Sequence, residues 1–268
     1  MTRPIGMSTS LLWPASLPEA IEAIGRAGFP FAEIAPGHLT RDLDGPEQAR
    51  SLRCAMSQVG VRAWSVHAPF GGENDLGAEA PGSTGAAARL SRTCDLAAAA
   101  GAAVLVVHPT DQQRPAAGPG ALLERVRASL AAVQPACQRT GVTLAIELML
   151  PHLVGGRADE LVWLCERLPS ERVGVCLDIA HASFGPSIAE AAQVLADRVR
   201  LVHVSDNDGR RDAHLFPGEG RIDWNGVRAI LDRAQYGGPV VVEAAPRAVS
   251  HDDLVAVRAR ARALLGGE

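Results

Sequence analysis

Residues 201–224 of the chain read LVHVSDNDGRRDAHLFPGEGRIDW. The stretch begins with an apolar run that includes His203, and no apolar pattern continues after Val204. This change is typical of a buried strand that ends in a long polar loop. The loop contains Asp212 and His214, which can both bind a metal ion and are separated by one residue. The stretch therefore predicts a strand with metal-capable side chains beyond its carboxyl end.

Short apolar runs alternate with longer segments rich in Ala, Leu and Arg along the whole chain. Runs such as VLVVH, VGVCLD and PVVVE are apolar on both faces, as parallel strands covered by helices must be. Eight such units in 268 residues match an α/β fold of the (β/α)8 TIM-barrel type. We predict strands at residues 5–8, 31–35, 61–67, 103–108, 142–148, 173–178, 199–205 and 239–243. We predict helices at residues 17–27, 46–59, 84–100, 121–140, 158–168, 188–196, 224–234 and 252–265.

An open, doubly wound α/β sheet is the competing fold. Its dinucleotide-binding form carries a GxGxxG motif after the first strand, and this sequence has no such motif there. The sequence also contains no linker and no low-complexity segment that would divide it. We therefore predict that residues 1–268 form a single TIM-barrel domain.

The composition is that of a soluble globular protein, and it excludes several functions. Hydrophobic residues make up 47% of the chain and charged residues 21%. The sequence contains no lysine, so a Schiff-base mechanism is excluded. A net charge of −4 and an aromatic content of 4% argue against a nucleic-acid partner, because such partners favour basic grooves and stacking rings.

The sequence predicts a cytoplasmic location. The five cysteines are scattered and form no CxxC pair, which is typical of free thiols in a reducing compartment. The first residues lack the pattern of a signal peptide. No apolar stretch approaches the length of a membrane span, so we expect no membrane partner. The sequence is compatible with a homo-oligomer.

Metal-capable side chains stand at or beyond the ends of the predicted strands, from the third strand to the eighth. In a barrel, the carboxyl ends of the strands converge on one face, where active sites lie. Imidazoles and carboxylates without thiolates suit zinc, manganese or cobalt. A metal held there could polarise a carbonyl or lower the pKa of a bound water. The candidate ligands are His67, His108, Glu147, Asp178, His181, His203, Asp212, His214 and Glu243.

These polar residues also have structural interpretations. A single histidine at a strand end is more often a hydrogen-bonded structural residue than a ligand, and Asp178 could cap the next helix. Asp206 and Asp208 are interpreted as solvated loop residues or turn formers. His38 and His152 lie in loops near the same face and are weaker candidates for substrate contact. Four acids and five histidines at one end of a barrel nevertheless favour a metal site.

Six segments resemble the xylose-isomerase-like TIM-barrel superfamily, which joins sugar and sugar-phosphate isomerases and epimerases with the endonuclease IV type of apurinic endonuclease. The segments run from the third strand to the eighth, and the last three are specific in combination. They are SVHAPF (65–70), VVHPT (106–110), LAIEL (144–148), GVCLDIAH (174–181), HVSDNDGRRDAHLFPGEGRID (203–223) and VVVEAAP (240–246).

In the isomerase and epimerase branch, the resemblance implies one divalent metal bound by Glu147, Asp178, His203 and Glu243. Glu147 and Glu243 would then be the catalytic acid and base. One removes the proton next to the substrate carbonyl and the other returns it through an enediolate, whose charge the metal stabilises. The implied substrate is a small carbohydrate, and the predicted substrate-binding residues are His181, His108 and Arg221.

In the endonuclease IV branch, the resemblance implies up to three zinc ions. His67 and His108 would share Glu147 in a second site, and the third site would consist of His181, Asp212 and His214. A hydrolase of this type, acting on abasic DNA or as a phosphoesterase or lyase on a small molecule, is the alternative function. We therefore expect one to three divalent ions of zinc, manganese or cobalt in each chain.

Two departures from the endonuclease pattern favour the sugar branch. The loop at residues 70–75 is small and acidic, whereas the endonuclease carries a bulky wedge there that enters the DNA stack. The chain also has no lysine to follow a phosphate backbone. A phosphate on the substrate stays open, because Gly218, Gly220, Arg221 and Arg247 could bind one but PGEG could equally be a structural turn. A non-catalytic metal-binding protein is a further alternative.

Overall fold

The computed structural model describes residues 3–168 and 171–266, and its strands form one closed barrel. The strands are β1 Ile5–Ser8, β2 Phe31–Ile34, β3 Arg62–His67, β4 Val104–Val107, β5 Thr143–Glu147, β6 Val173–Asp178, β7 Val199–Val204 and β8 Val240–Val242. Each strand pairs in parallel with the next, and β8 pairs with β1. The predicted (β/α)8 TIM barrel is therefore confirmed.

Helices surround this barrel and bury its outer face. In the described ranges they are α1 Leu17–Arg26, α2 Pro36–Asp42, α3 Pro46–Gln58, α4 Gly82–Ala100, α5 Gly120–Thr140, α6 Ala158–Glu166, α7 Ile179–Ser183, α8 Ile188–Leu195, α9 Trp224–Arg233 and α10 His251–Leu265. The short helices α2 and α7 were not predicted. They contain too few residues to show apolar side chains recurring at helical spacing. None of the described helices has the length and apolar character needed to cross a membrane.

Helix α1 illustrates how the local sequence builds the outer layer. Ser16 caps the helix by accepting a hydrogen bond from the Glu19 backbone, and the Glu19 carboxylate accepts one from the Ser16 backbone in return. Leu17, Ile21 and Ile24 recur at helical spacing and are buried against the barrel. The amphipathic pattern thus fixes which face of the helix packs inward.

The interior of the barrel explains why polar side chains converge at one end. A separate apolar cluster of inward-facing side chains fills its lower part, and it consists of Val104, Val106, Ala145, Cys176, Leu201 and Val241. Because side chains alternate along a strand, a residue two positions after a member of this cluster also points inward, one layer higher. That position is occupied by His108, Glu147, Asp178, His203 and Glu243.

Five of the predicted strands end one residue earlier than predicted, and two of these corrections concern candidate ligands. His108 and Glu243 are not the last residues of their strands, because β4 ends at Val107 and β8 ends at Val242. Pro109, which follows His108, has no N–H to continue the pairing of β4. Both side chains keep the inward parity of their strands.

The connection from β7 to α9 is built around the carboxylate of Asp206, which is completely buried. This carboxylate accepts hydrogen bonds from the backbone N–H groups of Gly218 and Ile222 and from the indole of Trp224, at 2.8–3.1 Å. A Cβ atom at Gly220 would overlap this carboxylate, so glycine is required at that position. The interpretation of Asp206 as a solvated loop residue is therefore wrong, because the loop folds back over it.

Asp208, by contrast, behaves as the predicted turn former. Its side chain is 43% exposed and accepts hydrogen bonds from the backbone N–H groups of Arg210 and Arg211. The two aspartates of one short segment therefore have different roles: Asp206 organises the loop from within, and Asp208 shapes one turn at its surface.

Replacing Asp206 by Ala should destabilise the protein by about 3 kcal/mol, because several buried donors would lose their charged acceptor. Asp208→Ala is the matched control, and its surface position predicts a loss of about 1 kcal/mol or less. The midpoint of urea denaturation measures both effects. Equal midpoints for the two variants would contradict the proposed role of the Asp206 carboxylate.

Candidate metal centre

Three groups of potential ligand atoms lie at the carboxyl end of the barrel, and the atoms within each group are within 4.8 Å of one another. The first group consists of His67, His108 and Glu147. The central group consists of Glu147, Asp178, His203 and Glu243. The loop group consists of His181, Asp212 and His214. The structure thus brings all nine candidate ligands together, and their binding of metal stays a prediction.

Glu147 belongs to both the first group and the central group. Its side chain is only 2% exposed, and its Oε2 atom lies 3.1 Å from His67 Nε2 and 3.4 Å from His108 Nε2. Its Oε1 atom lies 3.4 Å from Nδ1 of His181. A single carboxylate therefore connects two of the groups and approaches a histidine of the third.

Three of the five histidines are oriented by backbone carbonyl oxygens outside the groups. A carbonyl only accepts hydrogen bonds, so the ring nitrogen facing it must carry the proton. The other nitrogen of each ring then faces the group with a lone pair whenever the ring is neutral. The contacts are His67 Nδ1 to Ala68 O at 2.9 Å, His181 Nδ1 to Leu148 O at 2.8 Å and His214 Nδ1 to Glu243 O at 3.1 Å.

The other two histidines are oriented by carboxylates. His108 Nδ1 lies 3.0 Å from an oxygen of Asp111, and His203 Nε2 lies 2.9 Å from Oε2 of Glu33. Each carboxylate holds the proton on the ring nitrogen that faces away from the group. A carboxylate partner of this kind also makes a histidine ligand more basic.

Several buried polar atoms of the groups have no hydrogen-bond partner among the described residues. They include Asp178 Oδ2, His203 Nδ1 and Asp212 Oδ1. His203 Nδ1 lies 3.1 Å from an oxygen of Glu243, yet the two atoms are not aligned for a hydrogen bond. Buried polar atoms are normally satisfied, so atoms left over in this arrangement fit the coordination of a cation. The residues present therefore fit a divalent metal of the zinc, manganese or cobalt type.

Asp178 combines a structural role with a candidate ligand role. Its Oδ1 atom accepts a hydrogen bond from the backbone N–H of His181 at 2.8 Å and caps helix α7. Its Oδ2 atom stays unpartnered and belongs to the central group. The helix cap fixes the carboxylate, so the structural interpretation and the metal interpretation are both compatible with the geometry.

In these groups, neighbouring imidazoles and carboxylates shift each other's pKa values. Burial alone would lower the pKa of His108, but the neighbouring Glu147 and Asp111 carboxylates outweigh it and raise the pKa to about 9. Burial likewise opposes protonation of His214, and its hydrogen bond to Asp212 raises the pKa to about 10. Burial would raise the pKa of Glu243, but the adjacent His203 lowers it to about 2. Glu243 is therefore ionised and these two histidines are protonated when no metal competes, whereas burial raises the pKa of Asp178.

His214 occupies an uncommon backbone conformation. Its φ of +43° lies in the left-handed region, where a residue other than glycine is strained by about 1–3 kcal/mol. The segment is held by a backbone pair between Asp206 and Leu215 and by the N–H of Ala245, which donates to the carbonyl of His214 at 2.9 Å. The loop thus forces the imidazole towards Asp212, 2.9 Å away.

Glu33 is a buried residue of the centre that the sequence interpretation missed. Its side chain is inaccessible to solvent, and its Oε2 atom accepts hydrogen bonds from His203 and from the Ser65 hydroxyl at 2.7 Å. The available signal was a charged residue inside the apolar run FAEIA of β2. Charged residues are rarely buried unless they are paired, so this position indicated a partner inside the barrel.

The remaining candidates lie outside the three groups. His38 is fully buried and its ring contacts the Thr9 hydroxyl and the carbonyl of Ala15, so it is a structural residue and not a substrate contact. His152 is exposed in the loop after β5. Arg221 is exposed, and its guanidinium makes no hydrogen bond to the described part of the chain. A substrate contact of Arg221 therefore stays a prediction.

The PGEG segment is a structural turn in this protein. The N–H of Gly218 is already used by Asp206, and Gly220 is pressed against the same carboxylate. Arg247 pairs with Glu219 at 2.9 Å and its guanidinium carbon lies 3.4 Å from the centre of the Phe216 ring. These groups are thus engaged within the protein, which favours the structural alternative over a phosphate site.

Glu33→Gln should weaken metal binding by about 10-fold, because the amide keeps the hydrogen bond to His203 but loses the negative charge that makes the imidazole basic. Glu22→Gln on the exposed face of α1 is the matched control and should bind metal like the unmodified protein. Competition with a chromogenic zinc chelator measures the affinity. An unchanged affinity in Glu33→Gln would refute the role assigned to this carboxylate.

Metal binding should release protons at pH 7, because His108 and His214 have raised pKa values of about 9 and about 10 and must lose a proton to become ligands. The apparent affinity should therefore increase with pH until those pKa values are passed. Calorimetric titration of zinc in buffers with different ionisation enthalpies measures the protons released. A binding enthalpy that is the same in every buffer would contradict this expectation.

Comparisons with known proteins agree with the barrel fold. The chain is 29% identical to the fructoselysine 3-epimerase of Escherichia coli O157:H7 over 153 residues. This aligned region covers 55% of each protein. It is 30% identical over 182 residues to a probable endonuclease 4 of Mycobacterium leprae (strain Br4923), which covers 63% of this chain and 68% of that protein. The chain spans about half the length of the first curated relatives that it matches.

Solved structures and a family model complete the comparison. The crystal structure of a D-tagatose 3-epimerase-like protein superposes with a TM-score of 0.83 at 22% identity, over 98% of this chain and 97% of that chain. A likeness at this level of identity shows the fold. The family model described as the xylose isomerase-like TIM barrel matches residues 21–262. The chain therefore belongs to the xylose isomerase-like TIM-barrel family.

Proposed function

We propose that the protein is a divalent-metal-dependent sugar epimerase or isomerase that transfers a proton at a carbon next to a carbonyl. The observation that carries the proposal is the central group, in which a buried glutamate, Glu147, and a partly buried one, Glu243, share one cluster with Asp178 and His203. The similarity to a sugar 3-epimerase supports the same reaction class. The proposed substrate is a small carbohydrate.

In this proposal the two glutamates act from different sides of the substrate. Glu147 ends β5 and Glu243 follows β8, and two further strands separate β5 from β8 in the barrel. Their oxygens lie within 4.8 Å of each other in the central group. In the proposed scheme the second oxygen of each glutamate flanks the substrate carbon, so that one carboxylate removes a proton from one face and the other returns a proton to the opposite face.

Both glutamates begin in the form that a base needs. Burial would raise the pKa of Glu147, but His108 and His67 outweigh it and hold the pKa well below its ordinary value. Glu243 is likewise ionised at neutral pH. A divalent cation in the central group would stabilise the negative charge that develops on the substrate oxygens. Asp178 and His203 are assigned no proton transfer in this scheme and would hold the cation.

The contacts around the substrate are assigned by position. His181 and His108 lie at the edges of the central group, where their rings can meet substrate hydroxyls. Arg221 is proposed as a more distant contact, because it projects from the loop after β7 without a partner in the described residues. Zinc, manganese and cobalt all fit the donor set, with one to three ions per chain.

A second candidate is a zinc hydrolase that cleaves phosphoesters. It is favoured by one specific observation: all three groups are present, and Glu147 is shared between two of them. Two metal ions that share a carboxylate suit the displacement of a phosphate oxygen. The similarity to a probable endonuclease 4 supports this alternative. The two candidates differ in how many metal ions the active protein needs.

Incubation with ketoses in deuterium oxide should place solvent deuterium on the carbon that exchanges its proton. Glu147→Gln should lower this incorporation by about 100-fold or more while the fold is kept, because the variant has no carboxylate to accept the proton. Glu124→Gln on the exposed surface of α5 is the matched control. Mass spectrometry of the recovered sugar measures the exchange, and an active Glu147→Gln enzyme would overturn the assignment.

Two measurements distinguish the epimerase from the hydrolase: the number of metal ions bound per chain and the rate of phosphodiester hydrolysis. Full deuterium exchange with one ion per chain is expected for the epimerase. Activity on bis(4-nitrophenyl) phosphate or on an abasic-site duplex that requires two or three zinc ions, without any deuterium exchange, would replace the epimerase with the hydrolase.

A further inference from the structure

A cleft of about 490 Å³ opens beside the loop group, between the connection from β5 to α6 and the helices α7 and α8. His181 forms the boundary between the cleft and the metal centre. Its Nε2 atom lies 3.2 Å from Asp212 within the loop group, and the same ring contributes to the lining of the cleft. A ligand held at the centre could therefore continue past His181 into this space.

The wall of the cleft is fixed by buried interactions. Glu160, only 5% exposed, forms an ion pair with Arg114 and accepts a hydrogen bond from the N–H of Gly155 at 2.9 Å. A Cβ atom at Gly156 would overlap the carbonyl of Leu150, so the close backbone approach in the connection after β5 requires glycine at this position. The cleft is therefore a permanent feature of the fold.

The lining is largely apolar, which a free monosaccharide does not need. The apolar lining residues are Leu148, Pro151, Ala182, Pro186, Ala191 and Val194. Val194 is 41% exposed and is therefore accessible to a ligand in the cleft. Polar side chains also line the cleft, namely Arg114, Arg157, Asp159, Ser187 and Glu190, and the exposed Arg157 and Glu190 can meet the solvated end of a ligand. Clefts of about 300–1,000 Å³ with apolar walls and few polar groups are typical of small-molecule sites.

We infer that this cleft binds an aliphatic substituent of the substrate, so that the substrate is a substituted sugar rather than a free monosaccharide. The inference rests on the proposed function, because the sugar itself occupies the central group. The carbonyl and the exchanging carbon stay beside Glu147 and Glu243, and the substituent extends past His181. Apolar contact with the walls then supplies affinity that an unsubstituted sugar lacks.

The test compares D-fructose with 1-deoxy-1-(butylamino)-D-fructose as ligands of the metal-loaded protein. Each buried methylene contributes about fourfold in affinity, so we expect the butylamino sugar to bind about 10-fold more tightly or better. Val194→Trp should abolish this preference, because the indole fills the cleft. Val255→Trp is the matched control, since Val255 is 42% exposed on α10 and lies outside the cleft, and it should keep the preference.

Calorimetric titration gives the two affinities for each variant. Equal affinities for the two sugars, or a preference that survives in Val194→Trp, would overturn the cleft inference and leave the epimerase proposal intact if deuterium exchange persists. Failure of both sugars to bind, together with an absence of deuterium exchange, would overturn the proposed function and the cleft inference with it.

Discussion

The constraint on which the centre depends is the burial of several carboxylates in one small volume. Glu147, Asp178 and Glu243 lie at the mouth of the barrel and cannot all be ionised there without nearby positive charge. The surrounding imidazoles supply that charge when they are protonated, and a divalent cation supplies it when they are neutral. The fixed outer hydrogen bonds of the histidines make this exchange possible without any change in ring orientation.

The sequence predicted the barrel from its eight strand and helix units and the candidate ligands from the polar residues at the strand ends. The inward direction of several of these ligands follows from the alternation of side chains along a strand. Apolar residues such as Leu201 and Val241 face the interior, so His203 and Glu243, two positions later, must face it as well. Glu33 escaped the prediction because its partner, His203, is 170 residues away in the sequence. Asp206 was misjudged because its many donors come from a loop whose return path no local pattern specifies.

The loop after β7 links the stability of the fold to the candidate site. Asp206 draws the PGEG turn inward, and the backbone pair between Asp206 and Leu215 fixes the segment that carries His214. The strained conformation of His214 persists because these contacts determine the path of the chain on both sides of it. The same loop in which the Gly218 N–H donates to Asp206 leaves Asp212 and His214 facing His181.

Glu147 belongs to both the first group and the central group, and this affects which of the two proposed reactions the barrel can catalyse. A carboxylate that bound two cations would be too weak a base to remove a proton from a carbon. A carboxylate that bound a single cation would keep one free oxygen that could act as the base. Under the proposed function, a cation held by His67 and His108 would therefore withdraw Glu147 from proton transfer. The supply of metal and the identity of the reaction would then be linked through this one side chain.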